Sequence, residues 1–106
     1  MPHPLPPLDC TSLAEIRDGI DHLDRQIVGL LRERMAYVHA AAAFKPTERS
    51  IPAPERVTAM LIDRRAWAEQ AGLPPDDVES LFAGLIRWFI NQQTLHWRRQ
   101  HGADPV

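Results

Sequence analysis

Apolar residues in the first half of the chain fall on one helical face. Leu13, Ile16, Ile20, Leu23, Ile27, Leu30, Leu31 and Val38 recur at spacings of three and four, as in an amphipathic α-helix. Ser12 and Glu15 have the spacing of a capping box and mark a start. Pro46 disfavours the α conformation at Lys45 and marks a stop. Ser12 to Lys45 therefore predicts one helix, roughly 50 Å long.

After the proline-punctuated loop Pro46 to Ala53, the pattern predicts two more helices. Pro54 suits a first-turn position, and Val57, Met60, Leu61, Arg64 and Trp67 lead to Ala71, with Gly72 placed to end the helix. The third helix runs from about Pro75 to Gln100, with Val78, Leu81, Phe82, Leu85, Ile86 and Phe89 on one face. There is no alternating strand pattern, internal repeat or glycine-rich phosphate loop. The expectation is an all-α fold with three helices per chain, one of them very long. Residues 11–101 would form the domain, 1–10 a proline-rich flexible tail and 102–106 a frayed end. The first helix outruns what two shorter ones can cover, so association of two chains along it would bury the rest of its stripe.

The composition narrows the function classes. Hydrophobic residues at 44% and charged residues at 25% are ordinary for a soluble domain. A formal net charge of −2 argues against a broad nucleic-acid or anionic-membrane surface. Cys10 is the single cysteine, which excludes an internal disulfide and cysteine-rich zinc motifs. The five histidines lack metal-ligand spacing. MPHPLPPLDC lacks the apolar core of a signal peptide, and no apolar run reaches membrane-spanning length, so a cytoplasmic location is expected.

Candidate chemistry lies where the apolar faces are interrupted. Arg34 is seven residues after Ile27 and Lys45 seven after Val38. On one continuous helix both cations would lie on the stripe, roughly 16 Å apart, able to grip a small anion between them. Otherwise each pairs with a carboxylate from another helix or reaches out at an edge. Gln93 is four residues after Phe89, and Gln92 seven after Leu85. Spacing does not choose between these amides, and a structural bond to a neighbouring helix is the simpler use of either. Arg17 flanks the stripe about 25 Å from Arg34 along the axis, too far to share a small ligand within one chain. Two long helices packed antiparallel would bring Arg17 of one chain to Arg34 of the other. Arg56, early in the second helix, is a further candidate. Trp88, Trp97, Arg98 and Arg99 are better explained by helix-end packing and a basic last turn than by base stacking.

The stretches DCTSLAEIRDGIDHLD, RERMAYVHAAAAFK, IPAPERV and LIRWFINQQ together resemble the all-helical chorismate mutases. More closely, they resemble the salicylate-forming branch of that family, the isochorismate-pyruvate lyases. The resemblance runs from about Asp9 to Arg99. It implies an intertwined homodimer with two shared active sites and a small dicarboxylate substrate, isochorismate or chorismate. No cofactor, metal, nucleic acid or membrane is implied. By position, Arg34, Lys45, Arg56 and Gln93 would line a site from one chain, and Arg17 would enter from the partner. The two arginines would bind the substrate carboxylates, and Lys45 and Gln93 would act at the ether oxygen. The loop 46–53 would close over the ligand.

Mutases of this type usually carry a glutamate directly after the arginine of the second helix, where this chain has Val57. They also tend to have an acidic residue three positions before that arginine, where Ala53 stands here. Both departures favour the lyase branch, with weak mutase activity alongside. The implied reaction is pericyclic elimination of pyruvate to leave salicylate, a product that siderophore pathways use. The absence of a poised nucleophile from the sequence pattern fits such a step. The alternatives are a chorismate mutase and a non-catalytic helical dimerisation module.

Overall fold

The computed structural model of the chain describes residues 4–102. It contains three α-helices, α1 (Leu13–Ala42), α2 (Pro54–Gln70) and α3 (Pro75–His101), with 3-10 turns at Pro7–Asp9 and Glu48–Ser50. No strand occurs among the described residues, as the all-α reading expects. Pro7–Asp9 is ordered into a turn inside the expected tail. Residues 1–3 of that tail and 103–106 of the expected frayed end lie outside the described residues.

The start of α1 follows the capping pattern with one shift. Ser12 Oγ accepts the Glu15 N–H at 3.2 Å, while Glu15 reaches back to the N–H and hydroxyl of Thr11 at 2.8 and 2.9 Å. The hydrogen bonds from Thr11 are the main reason the Glu15 carboxyl is held below its ordinary pKa.

The end of α1 differs from expectation. The helix stops at Ala42, and the N–H groups of Ala43, Phe44 and Lys45 donate to the carbonyls of Ala40, Ala41 and Ala42. These are the tighter bonds of a 3-10 turn. In a continued α-helix the Pro46 ring would meet the Ala42 carbonyl, so the chain tightens and leaves before reaching it. Lys45 therefore lies beyond the helix, and the seven-residue spacing from Val38 does not place it on the stripe.

The chain divides between Ala36 and Tyr37 into two compact units. In the first, the stripe of α1 faces solvent in the single chain: Leu13, Ile20, Leu23, Ile27 and Leu30 are 51–61% exposed. The second unit holds the core. Ala42, Ile51, Ala68, Ile86 and Phe89 are buried there, with Gln93 beside them. Helices α2 and α3 pack on each other, and α3 also packs on the Glu48–Ser50 turn. The expectation for Leu81 fails, since it is 73% exposed. It lies five residues before Ile86, about 140° round the helix from the buried row.

A Schellman motif closes α2. Leu73 N–H donates to Ala68 O at 2.8 Å and Gly72 N–H to Glu69 O at 3.1 Å, with Gly72 at φ 74°. Across this turn Arg65 bonds both Asp76 and Glu79 at 2.7 Å. The acidic first turn of α3 thus serves its own helix dipole and fastens α2.

Candidate functional site

One row on the last turns of α3 organises the second unit. Gln93 is 7% exposed, and its Nε2 donates to the Val38 carbonyl at 3.1 Å. This selects Gln93 over Gln92 and supplies the structural bond that a buried amide needs. The amide carries a second N–H and a carbonyl oxygen beyond that bond. One turn on, Trp97 Nε1 donates to the Lys45 carbonyl at 2.9 Å. Arg98 forks onto Glu48, with Nη2 3.0 Å from Oε2 and Nε bonded to Oε1. The Arg98 guanidinium holds the Glu48 carboxyl below its ordinary pKa.

Those contacts build a frame around Lys45. Its N–H donates to Ala42 O at 3.2 Å, its carbonyl accepts from Trp97, and its Nζ donates to Ser50 O at 3.4 Å. Ser50 Oγ donates to Thr47 O at 2.6 Å, and the adjacent Ile51 is only 2% exposed. The segment expected to be a loop is thus a folded turn anchored in the core. Thr47 and Arg49 stand exposed on it. An ammonium carries three N–H donors, and one of those of Lys45 is on Ser50.

Arg56 is the third residue of α2 and is exposed. Arg64, read from the sequence only as part of a helix face, is half-buried, with its guanidinium over the rings of Trp67 at 4.5 Å and Phe82 at 5.6 Å. Burial, and then repulsion from Arg56, lowers its pKa. Val57 is half-buried and its N–H donates to Ala53 O at 3.1 Å. Ala53 adopts φ 40° and ψ 65°, a left-handed conformation that a Cβ disfavours.

Arg17 and Arg34 both lie on α1 in the first unit, about 25 Å apart along the axis. Arg17 is exposed; Arg34 is half-buried, with Nη1 withdrawn from solvent. The fold therefore ties Gln93 and Lys45 to one row of α3 and does not bring Arg17 to Arg34 within the chain.

Sequence reasoning missed three features of the second unit. One is the Glu48–Arg98 fork, between residues fifty apart in sequence. Another is the Trp97 bond, although Phe82, Ile86, Phe89, Gln93 and Trp97 continue one row at helical spacing. The third is a stacked pair, His39 on His96, with ring centroids 4.2 Å apart and planes 7° from parallel. Burial first, and then the charges of His96 and Arg99, lower the His39 pKa. Among the described residues, no group of three or more His, Cys, Asp or Glu side chains is arranged to hold a metal ion. No helix among them is long and apolar enough to cross a membrane.

Residues 16–94 match the profile of chorismate mutase type II. The chain is 54% identical over 97 residues to an isochorismate pyruvate lyase of Pseudomonas aeruginosa, covering 92% of this chain and 96% of the relative. It is 35% identical over 77 residues to a T-protein of Enterobacter agglomerans and 36% over 78 residues to a T-protein of Haemophilus influenzae. Those matches cover 71% and 72% of this chain, but only 20% of each T-protein.

Proposed function

The chain belongs to the chorismate mutase type II family, and from that premise we propose that it is an isochorismate pyruvate lyase. It eliminates pyruvate from isochorismate to leave salicylate, with weak chorismate mutase activity alongside. The observation that carries this reading is the 54% identity to a lyase of that name over 96% of the relative's length. Val57, where mutases of this type carry a glutamate, favours the lyase over the mutase.

In this reading Arg34, Lys45, Arg56 and Gln93 serve one site, and Arg17 comes from a second chain. Two guanidinium forks suit the two substrate carboxylates. The ring hydrogen moves to the enolpyruvyl methylene as the ether C–O bond breaks, which makes the pyruvate methyl group and leaves the ring aromatic. The protein's part is to hold the enolpyruvyl arm in the reactive fold. The Lys45 ammonium meets charge growing on the ether oxygen, and the second N–H of Gln93 supports it. The exposed α1 stripe supports a homodimer, since two such stripes can bury each other. The pathway served, siderophore synthesis among them, and a cytoplasmic location belong to the same proposal.

The test gives purified protein isochorismate and chorismate in separate reactions. Equal amounts of salicylate and pyruvate are expected from isochorismate, and prephenate from chorismate much more slowly. Efficient prephenate formation with no salicylate would make it a mutase. No turnover of either would leave a dimerisation module.

A further inference from the structure

Lys45 is the residue on which the proposed chemistry turns, yet it stands outside any helix. Its backbone direction is set after α1 has ended, and Pro46 supplies no N–H to continue a ladder. Its carbonyl is taken by the Trp97 indole at 2.9 Å. The next residue of α3, Arg98, holds the carboxylate of Glu48 in the turn that follows Lys45. Trp97 is itself supported from the C-terminal side: His101 stacks on its ring at 3.9 Å with planes 13° apart. Gln93, one turn before, fixes Val38. The row at 93, 97 and 101 therefore spans both sides of the point where α1 hands over to the loop.

Resting on the lyase reading, we infer that Trp97 is a positioning residue. Its indole N–H fixes the carbonyl, and hence the backbone orientation, of Lys45, and Arg98 holds the following turn through Glu48. Trp97 acts only through Lys45. The ammonium is aimed by the Cα–Cβ direction, and the two backbone bonds at Lys45 set that direction more firmly than the long 3.4 Å bond from Nζ to Ser50. A side chain of four methylenes makes a small backbone rotation into a displacement large enough to matter for a transition-state contact. The indole is the right group for the task, being rigid and a donor only.

The test compares Trp97→Phe, which keeps an aromatic ring without the donor, with wild type, Lys45→Met and the double variant. Trp97→Phe should lower kcat by about tenfold, within what one lost hydrogen bond supplies, with KM changed by less than about threefold. In the Lys45→Met background the same substitution should change kcat little, because the residue it positions is gone. Hydrogen exchange gives a readout that needs no turnover. The Ser50 and Ile51 amides, bonded to Thr47 and Glu48 carbonyls, should exchange faster in Trp97→Phe, while the amides at the centre of α2 do not. If wild type is inactive on isochorismate, the lyase reading fails and exchange alone decides the tether. Unchanged exchange, or an equal loss of kcat with and without Lys45, overturns the inference.

Discussion

Lys45 is gripped at its N–H, its carbonyl and its ammonium, and the proposed chemistry assigns it the charge on the breaking bond. Lys45→Met keeps the length and removes the charge. The expected result is a fall in kcat on the order of 10²-fold, as for loss of an oxyanion donor, and near-normal kcat would remove Lys45 from the mechanism. Ala53 carries the left-handed backbone just before α2. Ala53→Gly relieves the Cβ while adding freedom to the unfolded chain. Equilibrium urea unfolding at fixed protein concentration should show a gain of about 0.5–1 kcal/mol, and a loss would mean that the conformation carries no strain. Both residues mark limits of sequence reading. Lys45 was legible as a special cation, but its placement was not, because helical spacing assumes that the helix continues. An amide at 92 or 93 was legible as one needing a partner, whereas which of the two is buried, and what it bonds, depends on packing between segments far apart in sequence.

The three helices were largely legible as elements, because prolines, Gly72 and the apolar spacing bracket each of them. What periodicity could not supply is how their ends are fastened. The stacked His39 and His96 join the end of α1 to α3, and burial favours neutral His39 in the folded chain. With its folded pKa depressed, His39 adds stability in full above the unfolded value of about 6.5, and that stability is lost as pH falls below it. His39→Gln should therefore lose less stability than wild type between pH 7.5 and 5, measured as the urea midpoint against pH. Parallel curves would show that His39 does not couple folding to protonation. Arg65, between Asp76 and Glu79, is the surface counterpart. Its side chain is 37% exposed, so Arg65→Ala should cost at most about 1 kcal/mol in the same unfolding experiment. Ile51 shows a different limit: a lone isoleucine between Ser50 and Pro52 gives no periodic signal, yet it is buried in the core.

At the scale of the molecule, the stripe from Leu13 to Leu30 and the span between Arg17 and Arg34 point to the same arrangement. The apolar row lacks cover in one chain, and two cations suited to one dianion stand about 25 Å apart on one helix. The proposed pairing of chains rests on a rod that outruns its two shorter companions, which is legible in the sequence; its geometry is not written in spacing. Arg17→Ala and Arg34→Ala proteins should each be nearly inactive. The central claim is salicylate formation at a site completed by a second chain, and mixing these two inactive proteins tests it most directly. The two variants are unfolded together, refolded in equal amounts and assayed for salicylate from isochorismate. Each heterodimer carries one intact site and one doubly damaged site, so random pairing should restore about a quarter of wild-type activity. No recovery, with heterodimers confirmed by mass, would contradict the account.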